Sequence, residues 1–168
     1  MCSIFFKFSI DIIHQIVLHL NPSLFHTSKS PLVIRTDYSS DKTWKHIQKS
    51  ILNPDSEYQL APEVELINDI SLKDASTQNI KDVISDYQHT FLAIADSTTM
   101  KSDPPLLLIV GCNDYKGLQF RCSSFELWFI DHNLSTGNLK FDEMKESLDY
   151  SGLFSFPAFR SSQVSPKG

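Results

Sequence analysis

Apolar and polar positions along this chain fall into blocks whose period changes. Leu32-Val33-Ile34 is a short unbroken apolar run closed by Arg35-Thr36-Asp37, the pattern of a strand buried on both faces. Ser39-Ser40-Asp41 then offers N-cap candidates for a helix that buries Trp44, Ile47 and Ile51, spaced by three and four, and that stops at Asn53-Pro54-Asp55. Val64, Leu66 and Ile67 predict a second strand ending in Asn68-Asp69, and Thr77 to Asp86 a helix with Ile80, Val83 and Ile84 inward. His89 to Ala95 reads as a third strand ending at Asp96-Ser97-Thr98, and Leu106 to Val110 as the clearest buried one. Asn113 to Gly117 is a turn, with Leu118 to Arg121 a short returning strand. Ser123 and Glu126 match a capping box opening a helix with Phe125, Trp128 and Phe129 on one face, broken over Asn133 to Asn138. A last helix runs from Leu139 to Tyr150, with Phe141, Met144 and Leu148 inward and Gly152 at its C′ position. The order of these blocks predicts a single α/β domain: a mixed four- or five-stranded sheet with helices packed on it, its first three strands parallel.

The ends of the chain follow other rules. Residues 1–20 are apolar, but Lys7, Asp11, His14 and Gln15 fall on one helical stripe, which predicts an N-terminal amphipathic helix and spoils a membrane-spanning reading. The segment is expected to be a helix docked on the core or a poorly ordered extension; the alternative is contact with a membrane surface or a partner through residues 4–20. Residues 21–30 form a polar linker, 31–156 the α/β domain, and 157–168 a flexible tail.

Composition narrows the classes. The 168 residues include 12 Phe, 5 Tyr and 2 Trp, ample core material, so disorder does not describe the chain. Fifteen basic against 20 acidic residues give a net charge of -5, so no nucleic acid is expected as a partner and a cytoplasmic location is. Cys2, Cys112 and Cys122 are odd in number and lack a C-x-x-C pair, which argues against a disulfide framework or a structural zinc site. Cys112 and Cys122 come near each other if they sit on paired strands.

The segments IRTDYSSDKTWKHIQ (34–48), VELIND (64–69), HTFLAIADSTT (89–99) and ELWFIDHNLSTGNLKFDEM (126–144) resemble an uncharacterised family of small bacterial and fungal proteins, a domain of unknown function. The Arg-Thr-Asp-aromatic-Ser run, the following Trp, and Asn-Leu-Ser with a later Asn and Phe carry the resemblance. It covers about residues 31–156, implies a domain boundary and implies no chemistry. The chain departs from the family's pattern in lacking a long acidic, Leu-rich stretch before the third strand, and in having Gly111-Cys112-Asn113 at the end of the fourth.

Phosphate-binding glycine loops, nucleophile elbows, H-E-x-x-H and EF-hand loops are absent from the sequence. Asp37, Asp69 and Asp96 each close a candidate strand, and parallel strands would bring them to one edge, where ligands of open α/β sheets bind. Together they are candidates for Mg²⁺, but each alone is explained as a helix or turn cap, so the expectation is no cofactor, with Mg²⁺ as the alternative. Arg35 is a candidate for an anionic group or an ion pair with one Asp. His132 is a candidate general base oriented by Asp131; the alternative is a helix C-terminus with Asn133 as the left-handed cap. Lys42, Lys45 and Lys49, with His46, form a basic stripe that docks an acidic partner or simply faces water. No candidate outweighs its structural explanation, so the expected function is a non-enzymatic module binding an unidentified protein partner. The alternatives are a small Mg-dependent hydrolase or phosphoryl-transfer domain using the strand-end carboxylates, and a protein attached to a membrane surface through residues 4–20.

Overall fold

In a computed structural model of the chain, residues 28–84 and 87–156 are described. The predicted N-terminal helix, most of the linker and the tail lie outside them. Six strands form one mixed sheet in the order β2-β1-β3-β4-β5-β6: β1 Leu32–Arg35, β2 Glu65–Ile67, β3 Phe91–Ala95, β4 Leu106–Gly111, β5 Gln119–Ser123 and β6 Leu153–Phe154. β1 pairs in parallel with both β2 and β3, β4 runs antiparallel to its neighbours β3 and β5, and β6 is parallel to β5. The first three strands are therefore parallel, as the alternation of strands and helices predicts. The expectation of four or five strands is corrected to six. The sixth is two residues long, too short to carry a periodic signal, and Gly152 (φ 78°) makes the turn into it instead of ending a helix.

The helices are α1 Asp41–Leu52, α2 Thr77–Val83, α3 Ser97–Lys101, α4 Leu127–Thr136 and α5 Phe141–Glu146. α1 starts where expected: the Ser40 side chain accepts from Thr43 N, Asp41 sits in the positive first turn, and Asn53 leaves the helix in an extended conformation before Pro54. The helices cover both faces of the sheet, so β1 and β3 are buried along their whole length. Alternation divides the core. Val33, Phe91, Ala93, Leu107, Ile109 and Phe120 pack with Trp44, Ile47 and Ile51 of α1 and with Ile130 and Phe141. Leu32, Ile34, Leu92, Ile94 and Val110 pack with Leu72 and with Ile80 and Val83 of α2.

Several local expectations change. α3 stands where only a strand end was expected: Asp96 accepts from Thr98 N and Thr99 N and starts a helix of one turn. Ser123 caps a 3-10 turn through Phe125 N, but Glu126 does not return the bond; its carboxylate accepts from Phe156 N at 2.8 Å and anchors the end of the domain. Phe125 is exposed while Trp128 is buried, so they do not share a core face. Asn133 lies inside α4, and Gly137 (φ 69°) takes the left-handed cap. α5 ends at Glu146, short of Tyr150. Cys112 and Cys122 belong to the two opposite core layers, because Cys122 pairs with Leu107 at the start of β4 whereas Cys112 follows its end.

Candidate functional site

The parallel strands β1 and β2 end beside the start of α1, and a cleft of about 690 Å³ opens there. It is lined by Arg35, Tyr38 and Asp41 on one side and by Leu66, Asn68 and Ile70, among others, on the other. Among the described residues β2 is the edge strand, with no further strand beside it on this side of the cleft.

Arg35 is the last residue of β1 and the largest fully buried side chain in the described residues, with 1% exposure. Strand alternation puts it on the same face as Val33, the face α1 covers, and the Trp44 ring lies 5.6 Å from its guanidinium carbon. Burying a cation costs several kcal/mol unless bonds compensate. Nε donates to the Asp37 carbonyl at 2.9 Å, and Nη1 donates to Asp41 Oδ1 at 2.9 Å and to Asn68 Oδ1 at 3.2 Å. The Tyr38 ring lies over the guanidinium carbon at 4.2 Å, a cation–π contact. Nη2 has no hydrogen-bond partner among the described residues, nor has the buried hydroxyl of Tyr38. Burial pushes the Tyr38 hydroxyl above its ordinary pKa, with Arg35 opposing and Asp69 adding to the shift, so it remains a donor at neutral pH. The cleft is thus bordered by a fixed guanidinium and a phenol, each with one polar atom that is sealed from solvent and unbonded.

The three strand-end carboxylates share this edge of the sheet, and each is engaged locally. Asp37 Oδ1 accepts from Ser39 N at 2.7 Å, and its bonds with Ser39 hold the carboxyl below its ordinary range against the effect of burial. Asp69 Oδ1 accepts from Ser71 N at 2.9 Å and from Ser71 Oγ at 2.8 Å. Asp96 caps α3 and takes Arg121 in a two-point contact, Nη2 to Oδ2 at 2.6 Å and Nη1 to Oδ1 at 3.2 Å. Burial pushes its carboxyl up, but the bonds from Arg121 and Thr99 outweigh that and hold it low. Among the described residues, no three His, Cys, Asp or Glu side chains form a group that could hold a metal ion.

Asp131 and His132 point apart, since consecutive helical residues are separated by about 100° around the axis. Asp131 is buried, accepting from Glu63 N at 2.8 Å and from Ser135 Oγ at 3.2 Å, while His132 is exposed. Burial raises the Asp131 carboxyl above its ordinary range. Neither of the two described cysteines offers a ready nucleophile: burial pushes the Cys112 thiol up to about 11 and Cys122 well up. Lys42, Lys45, His46 and Lys49 all lie on the exposed face of α1.

From the sequence, Arg35 is a candidate for an anionic group or an ion pair with an Asp because it lies beside the strand-end carboxylates. Tyr38, Asp41 and Asn68 were not singled out. The usable signal was the aromatic of the Arg-Thr-Asp-aromatic-Ser run, three residues after Arg35.

Residues 30–156 match a family model described as Domain of unknown function (DUF6924). No curated protein and no solved structure gives a significant match to the chain.

Proposed function

The chain belongs to that family, and on this premise we propose that it is a non-enzymatic recognition module whose cleft at the ends of β1 and β2 binds an oxyanion of its ligand. The observation that carries the reading is Arg35, buried under the Tyr38 ring, with its Nη2 and the Tyr38 hydroxyl both unpartnered. A buried donor left unsatisfied costs about 1–3 kcal/mol. A ligand oxygen that accepts from Nη2 and from Tyr38 relieves both groups at once. Charge-assisted bonds to a guanidinium are about twice as strong as neutral ones. The other two nitrogens are already fixed by Asp37, Asp41 and Asn68, so little rotamer entropy is lost on binding. Tyr38 covers the guanidinium, and its ring shifts to admit the ligand.

The reading is one of binding because the groups around Arg35 supply charge and orientation. Isothermal titration of the full chain with monocarboxylates and with inorganic phosphate tests it. Binding that weakens about tenfold in Tyr38→Phe, which keeps the ring and removes the hydroxyl, supports the proposal. Binding unchanged in Tyr38→Phe and in Arg35→Met places any anion site elsewhere and refutes it.

A further inference from the structure

The walls of this cleft say more about the ligand than that it carries an oxyanion. Its charged lining is one guanidinium, Arg35, with three carboxylates, Asp41, Glu65 and Asp69, and no lysine or histidine. A phosphate or a dicarboxylate would place its second charge against these carboxylates, so they select against it. Asp41 is bonded directly to Arg35 through Oδ1 at 2.9 Å, yet its side chain is 83% exposed, which leaves the rest of the carboxylate open toward the cleft. Arg35 is sealed under the Tyr38 ring, and once that ring shifts a positive and a negative group of the protein stand side by side at the same opening. Asp69 is also part of the lining, with Oδ1 spent on Ser71. Beyond this polar end, Leu66 of the edge strand and Ile70, 65% exposed, provide an apolar wall.

An adjacent cation and anion facing one opening are complementary to a ligand with an adjacent anion and cation. We infer that the occupant is an apolar α-amino acid in its zwitterionic form, its carboxylate taken by Arg35 Nη2 and the Tyr38 hydroxyl, its ammonium by Asp41 and Asp69, and its side chain laid against Leu66 and Ile70. This rests on the oxyanion reading above and adds the ammonium and side-chain subsites. A cleft of this volume is within the range of small-molecule sites, and its mixture of a few fixed polar groups with an apolar wall is their usual composition.

Titration of the full chain with four probes tests the inference. They are L-leucine, 4-methylpentanoate (the same skeleton without the amine), isoamylamine (without the carboxylate) and inorganic phosphate. L-leucine should bind at least tenfold more tightly than 4-methylpentanoate, and isoamylamine and phosphate should bind more weakly still. Asp41→Asn also removes a partner that fixes Arg35, so its readout is the ratio of the two affinities: the preference for L-leucine over 4-methylpentanoate should fall from at least tenfold to less than about twofold. If 4-methylpentanoate or phosphate binds as tightly as L-leucine, the amino-acid inference fails and the oxyanion site stands. If no carboxylate or phosphate binds at all, both readings fall.

Discussion

If Arg35 is kept for a ligand, replacing it with an apolar side chain of similar length should cost the fold little. Its favourable contributions can be sized one by one. The ion pair with Asp41 is worth about 0–1 kcal/mol, because that carboxylate is largely in water. The bonds to the Asp37 carbonyl and to Asn68 contribute about 1.5–3 kcal/mol each as charged-donor bonds. The Tyr38 and Trp44 rings add about 0.5–2 kcal/mol. Against these stand the desolvation of a fully buried cation, several kcal/mol, and the unpartnered Nη2, about 1–3 kcal/mol. The two sides are of similar size. Arg35→Met removes both and fills most of the volume, while Asp41 and Asn68, both exposed, return to water. Its stability should lie within about 1 kcal/mol of the parent chain. Arg35→Ala also leaves a cavity and should lose about 2–4 kcal/mol. Urea unfolding of the full chain, followed by Trp fluorescence, measures both, with an unchanged m-value as the check that the denatured state is the same. A loss above about 3 kcal/mol in Arg35→Met would make Arg35 a structural keystone and refute the reasoning.

Other consequences follow from the same geometry. Asp96→Asn keeps a good N-cap for α3 but loses the ion pair with Arg121, and should lower stability by about 1 kcal/mol; Asp96→Ala loses both and should cost about 2–3 kcal/mol, read by the same urea assay. Because Asp37 and Asp96 are held below their ordinary pKa in the folded state, their contribution is present above the unfolded carboxylate range and is lost as pH falls through the lowered values; thermal unfolding from pH 6 to pH 2 should show that loss, smaller in Asp96→Asn. Asp131 has the opposite sign. Its raised folded value favours folding of the protonated form below the unfolded pKa, and that contribution disappears as pH rises through the folded one, so the parent chain should gain stability relative to Asp131→Asn on going from pH 7 to pH 4. At Gly111 a Cβ would clash with the Tyr115 carbonyl oxygen, so Gly111→Ala should destabilise by about 1–3 kcal/mol, measurable as a drop in Tm.

Much of the fold was readable in the chain because burial on both faces leaves a direct mark. Leu32-Val33-Ile34 and Leu106 to Val110 are continuous apolar runs for that reason, and α1 announces itself through Trp44, Ile47 and Ile51 between Ser40 and Pro54. The parts that escaped are short or depend on distant partners. Leu153 and Phe154 become a strand only because β5 is there to pair with them. Glu126 looks like a local cap, but the backbone of Phe156, 30 residues away, offers it a donor instead. The site was legible to the same degree. An arginine closing an apolar strand is visible as an anomaly. That Tyr38 folds back over it, and that Asn68 from β2 reaches its Nη1, depends on β1 and β2 being neighbours. The shared edge of Asp37, Asp69 and Asp96 was expected from the parallel strands, and their individual caps were expected too; the local bonds are the ones the structure makes.

The most direct measurement is on the guanidinium itself. The chain has three arginines, Arg35, Arg121 and Arg160, so side-chain ¹⁵N resonances of selectively labelled full-length protein can be assigned by substitution. Titration with L-leucine and then with inorganic phosphate should shift the Arg35 signals saturably in at least one series, with those of Arg121 and Arg160 unmoved. Arg35 signals that stay in place through both titrations, while either ligand saturates the protein, would contradict the account.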